Sequence, residues 1–443
     1  MTPPTDEPSR QLPPSSSALF TDQYELTMLQ AALRDGTADR HCVFEAFTRR
    51  LPDGRRYGVV AGTGRIVDAL AGFRFGDAEL ERLSGVLDAH TVDYLASYRF
   101  DGDIDAYPEG ELFFPGSPLL TVRGSFGVAV ILETLILSIL NHDCAVAGAA
   151  ARMVSAAEGR ALIEMGSRRT HEEAAVAAAR SAYLAGFTAT SNLEAGRRYG
   201  LPTAGTAAHA FTLLHDSEEA AFRSQIEALG VGTTLLVDTY DITQGIATAV
   251  RVAGPELGAV RIDSGDLGVL TRSARRQLDS LGNPHTKIVL SGDLDEYAIA
   301  ALRADPVDVY GVGTSLVTGS GAPTAGMVYK LVAVDGRPVE KRSTDKQSHG
   351  GRKSALRRHK ASGTATEEVI YVVGGPVPDS EPGDRVLPAP LMRGGRPVDE
   401  LPTLADSREH LRRSMVGLPW EGLTISPGDV AIPSTLVSST GAS

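Results

Sequence analysis

Short apolar runs, each ending in polar or glycine-rich residues, recur between about residues 160 and 330 and constrain the fold more than any other feature. Helical patterns separate the runs at intervals of roughly 15 to 30 residues, as expected of successive βα units. The runs read ALIEMG, TATSN, TAGTAAH, TTLLVDTY, AVRIDSGD, KIVLSGD and DVYGVGT. About seven parallel strands are too many for a small nucleotide-binding half-domain, so the pattern predicts an α/β fold with an irregular (β/α) barrel.

The remaining segments predict a second unit beside this barrel, because 443 residues exceed what one hydrophobic core usually supports. Residues 1–17 are rich in proline and serine and predict a disordered tail. Residues 18–140 mix helix and strand patterns and predict an N-terminal α+β domain with a helical linker. The barrel is then expected over 141–334, and 335–443 are expected to complete the N-terminal domain.

The charge of the chain restricts its partners. A formal net charge of -12 argues against nucleic-acid binding, which needs an overall basic face. Positive charge is instead concentrated between residues 341 and 360. This segment is interpreted either as a loop that covers ATP or diphosphate or as a solvated surface run. Its basic residues are Lys341, Arg342, Lys346, Arg352, Lys353, Arg357, Arg358 and Lys360.

Cysteine usage and hydropathy indicate a cytoplasmic protein without a membrane partner. Cys42 and Cys144 lie far apart in no CxxC spacing, which predicts neither a disulfide framework nor a zinc site. The N-terminus lacks the apolar segment of a signal peptide. The apolar run from Val128 to Leu140 is too short to span a bilayer and contains Glu133.

Two glycine-rich strand ends are candidate phosphate sites, because barrels often hold phosphates in the loops after their last two strands. Glycines let backbone N–H groups approach phosphate oxygens, and hydroxyls add further donors. Tight βα turns are the alternative interpretation of either segment alone. The candidate residues are Ser291, Gly292, Asp293, Gly313 and Thr314.

Carboxylates and one histidine occupy other strand ends. Asp241 and Asp266 are interpreted as helix N-caps. Asp238 and Asp263 are better candidates for binding ribose hydroxyls, orienting a histidine or contacting Mg²⁺. His209 ends the run 203–209, which places it on the same rim if that run is a strand. Imidazole is largely neutral near pH 7 and can act there as a nucleophile toward phosphate.

These motifs occur in the order seen in nicotinate phosphoribosyltransferases, and the chain resembles that family over roughly residues 19–330. The motifs that carry the resemblance are TDQYELTM, GSRR, TSN, GTAAH, DTYD, RIDSGDL, SGDLDE and GVGTSLVTG. The resemblance implies an irregular α/β barrel of the type II phosphoribosyltransferase kind with a second α+β domain. It also implies a homodimer whose active sites form at the subunit interface.

The resemblance further implies a reaction and its co-substrates. Nicotinate and 5-phosphoribosyl 1-diphosphate would give nicotinate mononucleotide and diphosphate, a step of NAD biosynthesis coupled to ATP. His209 matches the family's transiently phosphorylated histidine, and Asp238 would fix its tautomer and stabilise the charged ring. Mg²⁺ would arrive with the diphosphate rather than on dedicated protein ligands.

The nicotinate site is also assigned through the resemblance. Tyr24 would enter the partner's active site, where its ring and the Arg261 guanidinium would sandwich the pyridine. Arg168 matches the family arginine near the pyridine. Together with Ser191 and Thr206 it would recognise the carboxylate, a task that suits the bidentate fork of arginine. The neighbouring Arg169 is interpreted as a solvated or phosphate-facing residue.

Three rival functions are weighed against this one. A nicotinamide phosphoribosyltransferase resembles the chain at RIDSG and SGD, but serine at position 191 suits an acid, whereas the amide-specific enzymes have an aspartate there. A quinolinate enzyme would need more basic groups around its dicarboxylate. A non-catalytic phosphate-binding barrel predicts a degenerate site, whereas His209, Asp238, Arg261 and Asp263 are all present.

Overall fold

The N-terminal segment of the computed structural model, which describes residues 16–341 and 349–437, alternates helices with short strands. Its elements are α1 (Gln23–Asp35), β1 (His41–Thr48), β2 (Gly58–Val59), α2 (Thr63–Ala71), α3 (Asp77–Leu83), α4 (Ala89–Ser97), β3 (Asp103–Ala106), β4 (Leu112–Phe113), β5 (Leu120–Ser125), α5 (Phe126–Ala129) and α6 (Glu133–Ala157). A 3-10 turn over Val130–Leu132 joins α5 to α6. Tail residues 1–15 and 438–443 lie outside the described residues.

The middle of the chain consists of βα units. They are β6 (Ala161–Glu164), α7 (Glu172–Ala185), β7 (Ala189–Thr190), α8 (Leu193–Tyr199), α9 (His209–Leu214), α10 (Glu218–Leu229), β8 (Thr234–Leu236), α11 (Ile242–Ala253), β9 (Ala259–Ile262), α12 (Leu267–Ser280), β10 (Lys287–Leu290), α13 (Glu296–Ala301), β11 (Val309–Val312) and α14 (Thr314–Val317). The strands form one parallel sheet in the order β7-β6-β11-β10-β9-β8. The sheet curls into a half-barrel, which confirms the α/β class.

The prediction of a barrel strand over residues 203–209 is wrong. The run 203–209 forms only an isolated bridge between Thr190 and Thr203, residues 204–208 have no regular structure, and His209 begins α9. The run TAGTAAH offers alanine, glycine and threonine but no large apolar side chain to bury. A central parallel strand needs such side chains on both faces, and this segment therefore lies mostly exposed at the rim.

The last segment returns to the N-terminal part of the chain. Its elements are β12 (Met327–Val334), β13 (Arg337–Pro338), β14 (Lys353–His359), β15 (Ala365–Val372), β16 (Arg385–Val386), β17 (Ala389–Arg393), β18 (Arg396–Pro397), α15 (Leu404–Val416) and β19 (Ser434–Val437). A seven-stranded sheet in the order β13-β12-β1-β5-β3-β17-β18 combines strands from both ends of the chain. A four-stranded sheet has the order β16-β14-β15-β19, and β2 pairs with β4.

A helical stretch from Phe126 to Ala157 connects the two hydrophobic cores. It is longer than the apolar run noted in the sequence, because the alanine-rich residues 141–157 continue the helix. By length and composition it could cross a membrane, but 67% of its most apolar window is buried inside the protein. Leu135 and Ile136 pack in the core of the N-terminal sheet, whereas Ala150 and Met153 pack in the core of the half-barrel.

Within the basic segment 341–360, residues 353–359 depart from both interpretations. Residues 353–359 form β14, a strand that pairs with β15 and β16. The Lys353 ammonium lies 2.7 Å from a Glu45 oxygen, and Arg357 is bound between Glu111 and Glu368, with each side chain of these pairs nearly inaccessible. The positive charges of Lys353 and Arg357 are therefore neutralised by distant carboxylates in the interior. Arg342 and Lys346 lie outside the described residues.

Candidate active site

The carboxyl ends of the parallel strands meet at one edge of the half-barrel, because all six run in the same direction. Asp238 follows β8, Asp263 follows β9 and Ser291 follows β10. Main-chain bonds fix the spacing of these ends. The Val237 N–H donates to the Arg261 carbonyl at 3.1 Å, and the Ser291 N–H donates to the Ile262 carbonyl at 3.0 Å. The sheet thus sets three polar side chains next to one another.

A chain of hydrogen bonds links these three strand ends. The Ser291 hydroxyl donates to Asp263 Oδ1. The Asp263 N–H in turn donates to Asp238 Oδ2 at 2.8 Å, and the Ser264 hydroxyl donates to the same oxygen at 3.0 Å. The carboxylate of Asp238 is only 1% exposed, and Oδ1 is buried without a hydrogen-bond partner among the described residues. One acceptor at the centre of the rim is therefore unused.

That unused oxygen faces His209. The distance from His209 Nε2 to Asp238 Oδ1 is 3.8 Å, too long for a hydrogen bond but short enough for an ion pair when the ring is charged. His209 Nδ1 lies 3.1 Å from the Thr239 hydroxyl. The imidazole side chain is 41% exposed, so it is accessible to a ligand. Thr239 was not singled out in the sequence, although it lies inside the DTYD motif.

Arg261 holds the segment that precedes His209. Its Nη1 donates to the Ala207 carbonyl at 3.3 Å, which attaches residues 204–208 to β9. Its Nε–H is buried and has no hydrogen-bond partner among the described residues. Thr206 lies exposed in the same segment. The Arg261 guanidinium therefore positions the backbone at Ala207 through Nη1, while its Nε–H remains without an acceptor among the described residues.

The turn after β10 requires the glycine that the sequence places there. Gly292 has φ +106°, and a Cβ at this position would lie 2.1 Å from the Asp263 carbonyl oxygen. Asp293 follows with φ +45°, a left-handed conformation that few non-glycine residues adopt. Successive residues of this kind turn backbone N–H groups toward a common point, a geometry suited to an anion.

The second glycine-rich end approaches the loop after β6. The Met165 N–H donates to the Val312 carbonyl at 2.8 Å, and a Cβ on Gly166 would lie 3.1 Å from the Gly313 carbonyl oxygen. Gly313 precedes α14, whose first residue is Thr314. The two segments are thus packed backbone against backbone, with room for no side chain between them.

Glu164 organises the side of the rim formed by β6 and β7, and the sequence analysis missed it. Its buried carboxylate accepts from the Gly166 N–H and the Thr190 hydroxyl, and burial raises its pKa. Its main-chain carbonyl accepts from the Ser191 N–H at 2.8 Å. The signal was available, since ALIE places one acidic residue at the end of an apolar run.

The residues expected at the substrate carboxylate are only partly brought together. Ser191 follows β7, and the neighbouring Asn192 donates from Nδ2 to the Ser167 hydroxyl at 3.0 Å, next to Arg168. Arg168 and Arg169 are both exposed. No hydrogen bond joins Arg168, Ser191 and Thr206 to one another within the described part of the chain.

Tyr24 lies away from the other site residues of its own chain. It belongs to α1, which packs against α4, α5 and the 3-10 turn of the N-terminal domain. The ring is 47% exposed. Burial of the hydroxyl and the nearby carboxylate of Glu133 raise the pKa of Tyr24. Residues 16–341 and 349–437 show no ion pair or hydrogen bond between Tyr24 and Arg261.

Several known proteins with similar sequences and structures belong to one family. Residues 19–141 match the family model described as the nicotinate phosphoribosyltransferase N-terminal domain. The nicotinate phosphoribosyltransferase pncB1 of Mycobacterium tuberculosis is 63% identical over 97% of both chains. The human nicotinate phosphoribosyltransferase is 32% identical over 91% of both. A crystal structure of the human nicotinic acid phosphoribosyltransferase superposes with a TM-score of 0.80 at 28% identity, covering 94% of this chain and 97% of that one. The chain therefore belongs to the nicotinate phosphoribosyltransferase family.

Proposed function

We propose that this enzyme transfers the phosphoribosyl group of 5-phosphoribosyl 1-diphosphate to nicotinate in a reaction coupled to ATP through a phosphohistidine at His209. The products are nicotinate mononucleotide and diphosphate, which places the enzyme in NAD biosynthesis in the cytoplasm. The observation that carries the proposal is the position of His209, exposed at the rim and facing the unused oxygen of buried Asp238. Close relatives named for the same activity support the choice of substrates.

His209 acts as the nucleophile toward ATP. When the proton is on Nε2, the carboxylate of Asp238 attracts it, and Nδ1 carries the free lone pair beside the Thr239 hydroxyl. Nδ1 then attacks the γ-phosphorus, the N–P bond forms and ADP leaves. Asp238 stabilises the positive charge that the ring acquires, an effect that is strong because this carboxylate is 1% exposed.

The glycine-rich ends hold the phosphates of the phosphoribosyl donor. Backbone N–H groups of Gly292 and Asp293 line one side, and Gly313 and Thr314 line the other. Asp263 contributes a carboxylate to the ribose hydroxyls. The phosphoryl group on His209 favours productive binding of the donor, after which the nicotinate nitrogen attacks ribose C1 and diphosphate leaves.

Mg²⁺ enters with the diphosphate and balances its charge. The described residues contain no cluster of three or more His, Cys, Asp or Glu side chains in metal-binding geometry. The available oxygens belong to Asp263 and the exposed Asp293, both beside the phosphate loop. Oxygen donors and a low number of protein ligands suit Mg²⁺, which keeps waters and substrate phosphates as its other ligands.

The nicotinate ring binds between two subunits of a homodimer. The Arg261 guanidinium supplies one face from the rim, and Tyr24 of the second subunit supplies the other. An exposed Tyr24 ring, remote in contacts from Arg261 of its own chain, is consistent with this arrangement. Arg168, Ser191 and Thr206 bind the carboxylate, with the serine donating where an amide-binding enzyme would need an acceptor. We also propose that the fold is of the type II phosphoribosyltransferase kind.

Product formation from nicotinate and nicotinamide, each with and without ATP, tests this function. Wild-type enzyme should use nicotinate far better than nicotinamide and should be stimulated by ATP. His209→Ala should lose the stimulation but keep a residual ATP-independent rate, because the phosphate loops and the pyridine site are untouched. Equal use of the two pyridines would overturn the substrate assignment, and binding of phosphates without any turnover would favour a non-catalytic barrel.

A further inference from the structure

A cavity of about 230 Å³ lies where β14, β15, β16 and α15 meet, and it shares no residue with the candidate active site. All its ionisable lining residues in the described part of the chain are basic. They are Arg357, His359, Arg385, His410 and Arg413. Leu112, Ala365 and Leu418 supply the apolar part of the wall. The composition points to an anion as the natural occupant.

The carboxylates behind this wall do not balance its charge. Arg357 lies 2.5 Å from Glu111 and from Glu368, and Arg385 lies 2.5 Å from Glu111, so two guanidinium groups face two carboxylates. His410 Nε2 also uses Glu111, at 2.9 Å. Arg413 lies 3.8 Å from Glu409 on the surface of its own helix, and Glu409 also pairs with Arg412. The wall thus keeps an excess of positive charge even when both histidines are neutral.

A buried donor at the cavity has no acceptor. The Arg357 side chain is 3% exposed, and its Nε–H lacks a hydrogen-bond partner among the described residues. Its other nitrogens are bound to Glu111, Glu368 and the Leu112 carbonyl. A buried donor without an acceptor destabilises the fold. Arg357 therefore contributes positive charge to the cavity wall, and the donors open to an occupant belong to the more exposed Arg385 and Arg413.

We propose that the cavity binds a phosphate-class anion, either inorganic phosphate or the phosphoryl end of a metabolite. Arginine binds tetrahedral oxyanions through paired N–H groups, and three arginines on separate elements surround a space that holds one such group. The site is distinct from the phosphate loops at the half-barrel rim. It joins the C-terminal sheet to α15, whose Arg408 donates to carbonyls at the end of α7.

Equilibrium binding of radiolabelled inorganic phosphate to the full-length protein tests the site. Wild type should bind two equivalents per chain, one at the catalytic rim and one in this cavity. Ser291→Ala should weaken the first, and Arg413→Gln should weaken the second about tenfold without changing KM for 5-phosphoribosyl 1-diphosphate. Arg413 is 66% exposed, so this variant should fold. Arg412→Gln is the control, because Arg412 lies beside it, pairs with Glu409 and does not line the cavity.

The source of the anion is resolved in the Ser291→Ala background. Displacement of labelled phosphate by adenosine monophosphate would identify a phosphorylated metabolite as the ligand, and resistance to displacement would identify free phosphate. Equal phosphate binding by Arg413→Gln and Arg412→Gln, each combined with Ser291→Ala, would overturn the proposal.

Discussion

At the residue scale, Asp238 uses its two carboxylate oxygens differently. Oδ2 accepts from the Asp263 N–H and the Ser264 hydroxyl, and thereby fixes the carboxylate in the strand-end network. Oδ1 has no hydrogen-bond partner among the described residues and faces His209. The residue proposed to orient the imidazole is therefore itself held by two hydrogen bonds, which would reduce the reorganisation needed when the ring becomes charged.

Asp238→Asn separates these two roles. An amide oxygen can still accept from the Asp263 N–H, so we expect a folded protein, but the negative charge beside His209 is lost. The ATP-stimulated turnover should fall about 10²- to 10³-fold, the range found when one preorganised electrostatic group is removed. Thr239→Val removes a single neutral contact and should cost no more than about tenfold. Steady-state rates measure both, and wild-type turnover by Asp238→Asn would contradict the assigned role.

At the scale of elements, the turn after β10 is the part of the proposed phosphate site that the backbone constrains most. Gly292→Ala should destabilise the protein by about 1 to 3 kcal/mol and raise KM for 5-phosphoribosyl 1-diphosphate, because the new Cβ collides with the Asp263 carbonyl. Gly282→Ala is the matched control. Its φ of +83° is also left-handed, but no atom lies within 4 Å of the added Cβ. Thermal unfolding should detect strain in both variants, while only Gly292→Ala should alter KM. An unchanged KM in Gly292→Ala would argue against phosphate binding at this turn.

Local patterns predicted most strands of the half-barrel, and two failures of prediction, one inside the half-barrel and one outside it, have physical causes. Strands β6, β8, β9, β10 and β11 come from apolar runs that can be buried on both faces. The run 203–209 lacks large side chains, and the spacing of motifs alone could not reveal that it is a loop held by Arg261. Part of the basic run forms β14, in which Lys353 and Arg357 pair with Glu45 and Glu111, more than 200 positions away in sequence. The pattern of charges along a sequence cannot reveal ion-pair partners that are so far apart.

The sequence likewise predicted residues of the candidate site but not the contacts between them. Motif order predicted His209, Asp238, Asp263 and the phosphate loops as site residues, and all of them except His209, which begins α9, follow a strand. The contact of His209 with Thr239 and the bonds of Glu164 depend on side-chain directions across neighbouring strands. Those directions are set by packing of the whole sheet, so the sequence pattern could not supply them.

At the scale of the whole molecule, a buried ion cluster ties the C-terminal sheet to the N-terminal segment. Arg357→Met should lower the free energy of unfolding by about 3 to 5 kcal/mol, because Glu111 and Glu368 would lose their shared buried cation. The adjacent Arg358 pairs with Glu381, which is 55% exposed. Arg358→Met should therefore cost less than about 1 kcal/mol. Denaturant unfolding compares the two, and similar losses would contradict a specific role for the buried cluster.

The proposed shared sites predict that two variants, each deficient in ATP-stimulated turnover, complement each other. Tyr24→Ala and His209→Ala remove residues that would belong to different subunits of one site. In a mixed dimer one site would carry both changes, and the other would be intact. Random assembly makes half of the dimers mixed, so about a quarter of wild-type activity should return when the two are refolded together. No recovery despite proven mixed dimers would show that Tyr24 acts within its own chain.

The phosphohistidine is the central claim, and incubation with γ-labelled ATP measures it most directly. Wild-type enzyme should acquire an acid-labile, base-stable label of up to about one phosphate per chain, as expected for phosphate on an imidazole nitrogen. His209→Ala should acquire none, and mass spectrometry should place the label on His209. A label that persists in His209→Ala, or ATP-stimulated turnover by wild type with no labelled enzyme, would contradict the account.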